Sequence, residues 1–105
     1  MEIIETPIFT RKIRNILSDD EYKELQWALI VNPEAGTLIP SGAGLRKLRW
    51  VLPGSGKRSG LRIIYYWYTQ EEKIYMLYLF KKAEMEDMTK EQMKILKEYV
   101  KKGVI

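Results

Sequence analysis

At 105 residues and 12.4 kDa, with 46% hydrophobic and 30% charged residues, the chain has the composition of one folded domain spanning 1–105. It contains neither cysteine nor histidine. That excludes disulfides, thiolate nucleophiles, cysteine-ligated zinc and imidazole chemistry, so any catalysis must run on Lys, Arg, Tyr, Ser, Thr or carboxylates. No apolar run approaches the ~18 residues of a membrane span, and residues 1–5 (MEIIE) lack the basic region of a signal peptide. No membrane partner is expected, and the cytoplasm is the expected compartment.

The net charge of +4 is unevenly spread. Residues 35–70 hold no acid and six bases, namely Arg46, Lys47, Arg49, Lys57, Arg58 and Arg62, so this stretch carries +6 and the rest of the chain −2. A single-sign segment inside a mixed-charge chain is an electrostatic footprint for a polyanion.

In chain order, residues 2–5 are short and apolar-centred and read as a first strand. Thr6-Pro7 follows as an N-cap with proline at the first helical position. Phe9, Ile13, Ile16 and Leu17 then form one helical stripe. Ser18 breaks that helix and opens a second through a capping box with Glu21, and Asp19 and Asp20 suit the positive end of its dipole. Tyr22, Leu25 and Leu29 make its buried face, and Asn32-Pro33 ends it. Residues 33–44 read as loop.

Three strands are predicted next, over 45–52, 61–69 and 73–82. Their aromatic and near-continuous apolar content argues for central strands covered on both faces for part of their length. Thr69-Gln70-Glu71-Glu72 joins the last two as a hairpin, while the connection over 53–60 is long, glycine-rich and basic. A final helix starts at Thr89 with a second capping box to Gln92. It presents Met93, Leu96 and Val100 on one side and ends at Gly103. The expected fold is α+β in the order β-α-α-β-β-β-α: an antiparallel sheet with an N-terminal helical hairpin and a C-terminal helix.

Five features carry chemistry. The loop Gly54-Ser55-Gly56-Lys57-Arg58-Ser59 could cradle phosphate with backbone N–H groups and two cations. It is not a P-loop, because its spacing is wrong and a strand follows it. Arg62 sits one residue inside an aromatic strand, where a guanidinium needs a partner: either a carboxylate such as Glu84 or an incoming phosphate held bidentately. Lys81-Lys82 lies where the last strand runs out. Tyr65, Tyr66, Trp67, Tyr68, Tyr75 and Tyr78 could stack on bases, although alternation buries at least half of them. Glu84, Glu86 and Asp87 could hold Mg²⁺, but acids are favoured ahead of a helix anyway. No metal and no cofactor is expected.

Four segments together resemble the RelE/HigB superfamily of toxins, most closely its HigB branch with phage-derived members: Gly44-Leu45-Arg46-Lys47-Leu48-Arg49, the Gly-Ser-Gly-Lys-Arg-Ser-Gly loop, Arg62-Ile63-Ile64-Tyr65-Tyr66 and Phe80-Lys81-Lys82-Ala83-Glu84. The resemblance covers nearly the whole chain, including the order of its elements. It implies the toxin of a type II toxin–antitoxin system, a metal-independent endoribonuclease that cuts mRNA in the ribosome by 2′-OH attack on the scissile phosphate and so inhibits translation. By that resemblance Arg62, Lys82, Lys47 and Arg49 are the catalytic cations. Arg46, Lys57, Arg58 and Lys81 are the RNA-binding ones. The implied partners are a cognate helix-turn-helix antitoxin, the ribosome with its mRNA, and operator DNA through the antitoxin complex. One departure stands out: the tyrosine that RelE carries near its C-terminal helix has no match in Glu84-Met85-Glu86-Asp87-Met88. The proton acceptor is thereby left open among a lysine, Glu84 and a ribosomal group. The competing expectation is a non-catalytic RNA- or DNA-binding module, or an inactivated toxin retained for antitoxin binding.

Overall fold

A computed structural model of the chain describes residues 1–51 and 60–102. Its elements are β1 (Glu2–Glu5), α1 (Pro7–Arg14), α2 (Asp19–Val31), β2 (Thr37–Leu38), β3 (Arg46–Trp50), β4 (Leu61–Tyr68), β5 (Lys73–Lys81) and α3 (Lys90–Lys101). The α+β class and the helical hairpin agree with the sequence reading. The sheet has five strands in the order β1-β5-β4-β3-β2.

Two features of the sheet differ from the expectation. The loop over 33–44 contains the two-residue strand β2, paired antiparallel with β3. The edge strand β1 pairs parallel with β5, while the remaining pairs are antiparallel. Parallel neighbours need a long crossover. The chain supplies one here, because everything from α1 to β4 lies between the two strands.

Three N-caps form as the sequence dictates. The Thr6 side chain accepts from the Phe9 N–H, with Pro7 following it. Ser18 with Glu21 and Thr89 with Gln92 close reciprocal capping boxes. The expected C-terminal glycine, Gly103, lies outside the described residues.

The sheet is covered on both faces. Against one face the helical hairpin packs Phe9, Ile13, Leu17, Leu25 and Leu29 onto Leu48, Leu61, Ile63, Tyr65, Ile74, Met76 and Leu79. Against the other, α3 sets Met93, Leu96 and Val100 over Leu45, Ile64, Tyr75, Leu77 and Phe80. This double cover is why β4 and β5 read as near-continuous apolar runs rather than alternating ones. Beyond β1, donors from the α1 region satisfy the free edge of β5. Thr6 Oγ1 donates to the Leu77 carbonyl at 2.9 Å, and Lys12 Nζ donates to that of Leu79 at 3.2 Å.

The loop leading into β3 is tied to the sheet from both ends. The hydroxyl of Tyr65, which has no solvent exposure, donates to the Pro33 carbonyl at 2.7 Å and accepts the Gly36 N–H at 2.8 Å. Arg46 Nη1 donates to the Gly36 carbonyl at 2.9 Å. Gly44 has φ +94°, and a Cβ there would lie 2.8 Å from the Tyr66 ring. Glycine is therefore required twice at that corner, once for its dihedral and once for space.

Candidate functional site

The pleat and the strand register decide which bases meet. In β3 the residues alternate faces. Leu48 and Trp50 pack against the helical hairpin, so Lys47 and Arg49 point to the α3 face and Arg46 to the hairpin face. The β3–β4 register sets Lys47 opposite Ile64 and Arg49 opposite Arg62, and the β4–β5 register sets Arg62 opposite Phe80. Ile64 and Phe80 both belong to the core beneath α3. Lys82 extends the ladder one step past β5, its N–H donating to the Gly60 carbonyl at 3.1 Å. The pleat returns it to the same face as Phe80. Lys47, Arg49, Arg62 and Lys82 thus share one corner of one sheet face.

The juxtaposition of Arg49 and Arg62 is the unusual element. Side chains directly opposite on neighbouring strands have Cβ atoms about 4.5–5.5 Å apart, and like charges there are destabilising. Arg62 is half-buried. Among the described residues it makes no ion pair, and its one hydrogen bond runs from Nη1 to the neighbouring Leu61 carbonyl at 3.3 Å. Glu84, the carboxylate offered by the sequence as one alternative partner, lies against Lys81 at 3.9 Å. Room for the guanidinium comes from Gly60, where a Cβ would stand 3.3 Å from Arg62 Nη1 and 3.1 Å from the Trp50 carbonyl.

The two lysines are differently placed. Lys82 Nζ donates to Glu86 Oε1 at 2.8 Å and to the Glu86 carbonyl at 3.1 Å. Lys47 Nζ reaches both oxygens of Asp87 at 3.4 Å. The hydrogen bond and charge of Lys82 hold the Glu86 carboxyl below the usual carboxylate range. Glu84, Glu86 and Asp87 therefore each face a different lysine rather than one another. Among the described residues no three acidic side chains gather where a metal ion could sit.

Arg46 and Lys81 do not join this corner. Arg46 faces the hairpin side and secures the loop at Gly36. Lys81 stands opposite Leu61, which packs against the hairpin. Lys57 and Arg58, with the whole glycine-rich loop, lie outside the described residues. The aromatic set is divided by the same alternation: Tyr65 and Trp67 belong to the core under the hairpin, and Tyr66, Tyr68, Tyr75 and Tyr78 to the α3 side. Core packing accounts for most of it.

The sequence reading missed two details. In the β4–β5 ladder Ile64 pairs with Tyr78 and Tyr65 with Met76, which leaves Leu77 as a bulged residue. The bulge lets Leu77 and Tyr78 both serve the α3 core and resets the alternation, so that Phe80 and Lys82 come onto the cationic face. Glu86 and Asp87 were read as acids that could hold Mg²⁺ or simply suit the start of a helix. The four-residue spacing of Lys82 and Glu86 was the available sign that they could also reach back to the strand exit.

Four cations thus lie on one sheet face, two of them arginines set opposite each other on neighbouring strands. The chain belongs to the RelE toxin family: residues 1–104 match the family model described as the RelE toxin of the RelE/RelB toxin–antitoxin system. It is the toxin of a toxin–antitoxin system, and the family implies an antitoxin partner. No helix among the described residues is long and apolar enough to cross a membrane.

Proposed function

We propose that this toxin is a ribosome-dependent endoribonuclease of the HigB-like branch, which cuts mRNA and so arrests translation. The observation that carries the reading is the Arg62 guanidinium, which makes no ion pair among the described residues, directly opposite Arg49. Two guanidinium groups set side by side offer forks that the oxygens of one RNA phosphate can bridge. The ribose 2′-oxygen attacks phosphorus in line, the bond to the 5′-oxygen breaks, and a 2′,3′-cyclic phosphate remains. Arg62 and Arg49 neutralise the non-bridging oxygens as charge builds on them. Lys47 and Lys82 hold neighbouring phosphates and fix the strand's direction. A ribosomal group accepts the 2′-OH proton in this reading. Residues 84–88 offer no tyrosine, and the carboxylate nearest Lys82, Glu86, is held below its ordinary range and is a poor base at neutral pH. Dependence on the ribosome follows, because positioning by the ribosome lowers the orientation cost that a weak acid–base set cannot meet.

The same reading places the protein's action in the cytoplasm, with mRNA and the ribosome as targets. A helix-turn-helix antitoxin serves as its inhibitor and as its link to operator DNA. Lys57, Arg58, Arg46 and Lys81 contribute long-range attraction to RNA. The test is inducible expression of the chain alone and with the gene beside it, combined with primer extension on mRNA in a reconstituted translation system. Growth arrest alone, rescue by the neighbour, and ribosome-dependent cuts lost in Arg62→Ala are expected. Harmless overexpression in a sensitive host would refute the toxic activity. Growth arrest without any cut would leave a toxin that binds without cleaving.

A further inference from the structure

The segment joining β5 to α3 turns two carboxylates onto the cationic face. Glu86 holds Lys82 through Oε1 at 2.8 Å, and Asp87 spans Lys47 with both oxygens at 3.4 Å. Asp87 Oδ1 also accepts the Met88 N–H at 2.8 Å, which aims the carboxylate. Neither contact is needed to start α3, because Thr89 and Gln92 already cap it reciprocally. Lys82 and Lys47 are therefore each held, in the free protein, by an anion of the chain itself. The hold is weak. Glu86 is 91% exposed and Asp87 58%, against 31% for Lys82 and 36% for Lys47, and exposed pairs of this kind are readily displaced.

We infer that residues 86–87 are a built-in competitor for the RNA site: Glu86 and Asp87 occupy Lys82 and Lys47 until two phosphates of a bound strand displace them. The inference rests on the phosphate-binding reading of this face and adds its regulation. The device weakens attachment to stray single strands. It leaves full engagement to a strand that presents several phosphates in the right array, as a positioned mRNA does.

The experiment measures affinity for an uncleavable 2′-deoxy single-stranded 12-mer by fluorescence anisotropy at fixed salt. Glu86→Gln and Asp87→Asn should each tighten binding about two- to fivefold, and the double variant about tenfold. Glu24→Gln and Glu91→Gln remove the same charge elsewhere and should change it by less than about 1.5-fold. In a Lys82→Met background Glu86→Gln should do nothing further. Equal effects from all four acids, or an undiminished Glu86→Gln effect without Lys82, would overturn the inference. So would a 100-fold loss of ribosomal cleavage in the double variant at saturating mRNA, since that would make a carboxylate the proton acceptor. If the affinities change as stated but the wild type cuts nothing on ribosomes, the competitor stands and the endoribonuclease reading falls.

Discussion

Replacing Arg62 with methionine should stabilise the fold while abolishing the activity. Met keeps an unbranched stem over Gly60 and removes only the charge. Two unit charges held about 6 Å apart repel by roughly 0.7 kcal/mol in water and by roughly 3 kcal/mol at the effective dielectric of a protein surface. Arg62 is half-buried and Arg49 exposed, so the pair lies toward the aqueous limit, at about 1 kcal/mol. Cross-strand like-charge pairs fall in the same range. For a domain of this size that corresponds to a rise in Tm of about 4 °C. The rise should shrink in 1 M salt, where screening acts over about 3 Å. Cleavage in a reconstituted translation system should fall 10²–10³-fold, the usual consequence of removing one preorganised contact to a developing oxyanion. Calorimetry at low and high salt, beside the cleavage assay, gives both readouts from one preparation. A fall in Tm would mean that Arg62 is a structural residue with a favourable environment. Retained cleavage would remove it from the site altogether.

Tyr65→Phe should cost about 2–4 kcal/mol in urea denaturation, because it leaves the Gly36 N–H and the Pro33 carbonyl unpaired inside the protein. Ser18→Ala, which removes one side of the α2 capping box, should cost about 1 kcal/mol by the same measurement and leave RNA binding unchanged. Burial, followed by the hydrogen bond and charge of Glu5, raises the Tyr22 hydroxyl well above its ordinary value, and burial raises Tyr65. Groups raised in the folded state contribute stability that is complete below the unfolded value, near 10, and lost as the pH climbs above it. Stability should therefore hold through neutral pH and decline above about pH 10. Tyr22→Phe should remove part of that decline in thermal melts recorded from pH 8 to 11.

The fold was legible where the deciding interactions are local. Thr6, Ser18 and Thr89 are short hydroxyl side chains placed ahead of periodic apolar stripes, and each reaches an N–H only three residues away. The parallel seating of β1 was not legible, because strand direction across a crossover depends on how the helices between pack. β2 was hidden because two residues carry no periodicity. At the site, alternation alone separates Arg46 from Lys47 and Arg49. The meeting of Arg49 with Arg62 instead depends on the register of β3 against β4, which the long connection between them does not fix. Lys82 depends on the Leu77 bulge, and nothing in the apolar run of seven residues, 74–80, marks which one is extra. These long-range steps converge on one result. A sheet that could have placed its bases on opposite faces instead aligns four on one face and sets two arginines opposite each other. A folding optimum alone would not favour that arrangement, because separating the charges lowers the energy of the free protein. On the proposed reading the arrangement is explained by the bound state, in which the oxygens of a tetrahedral phosphate are gripped by the planar forks of two arginines.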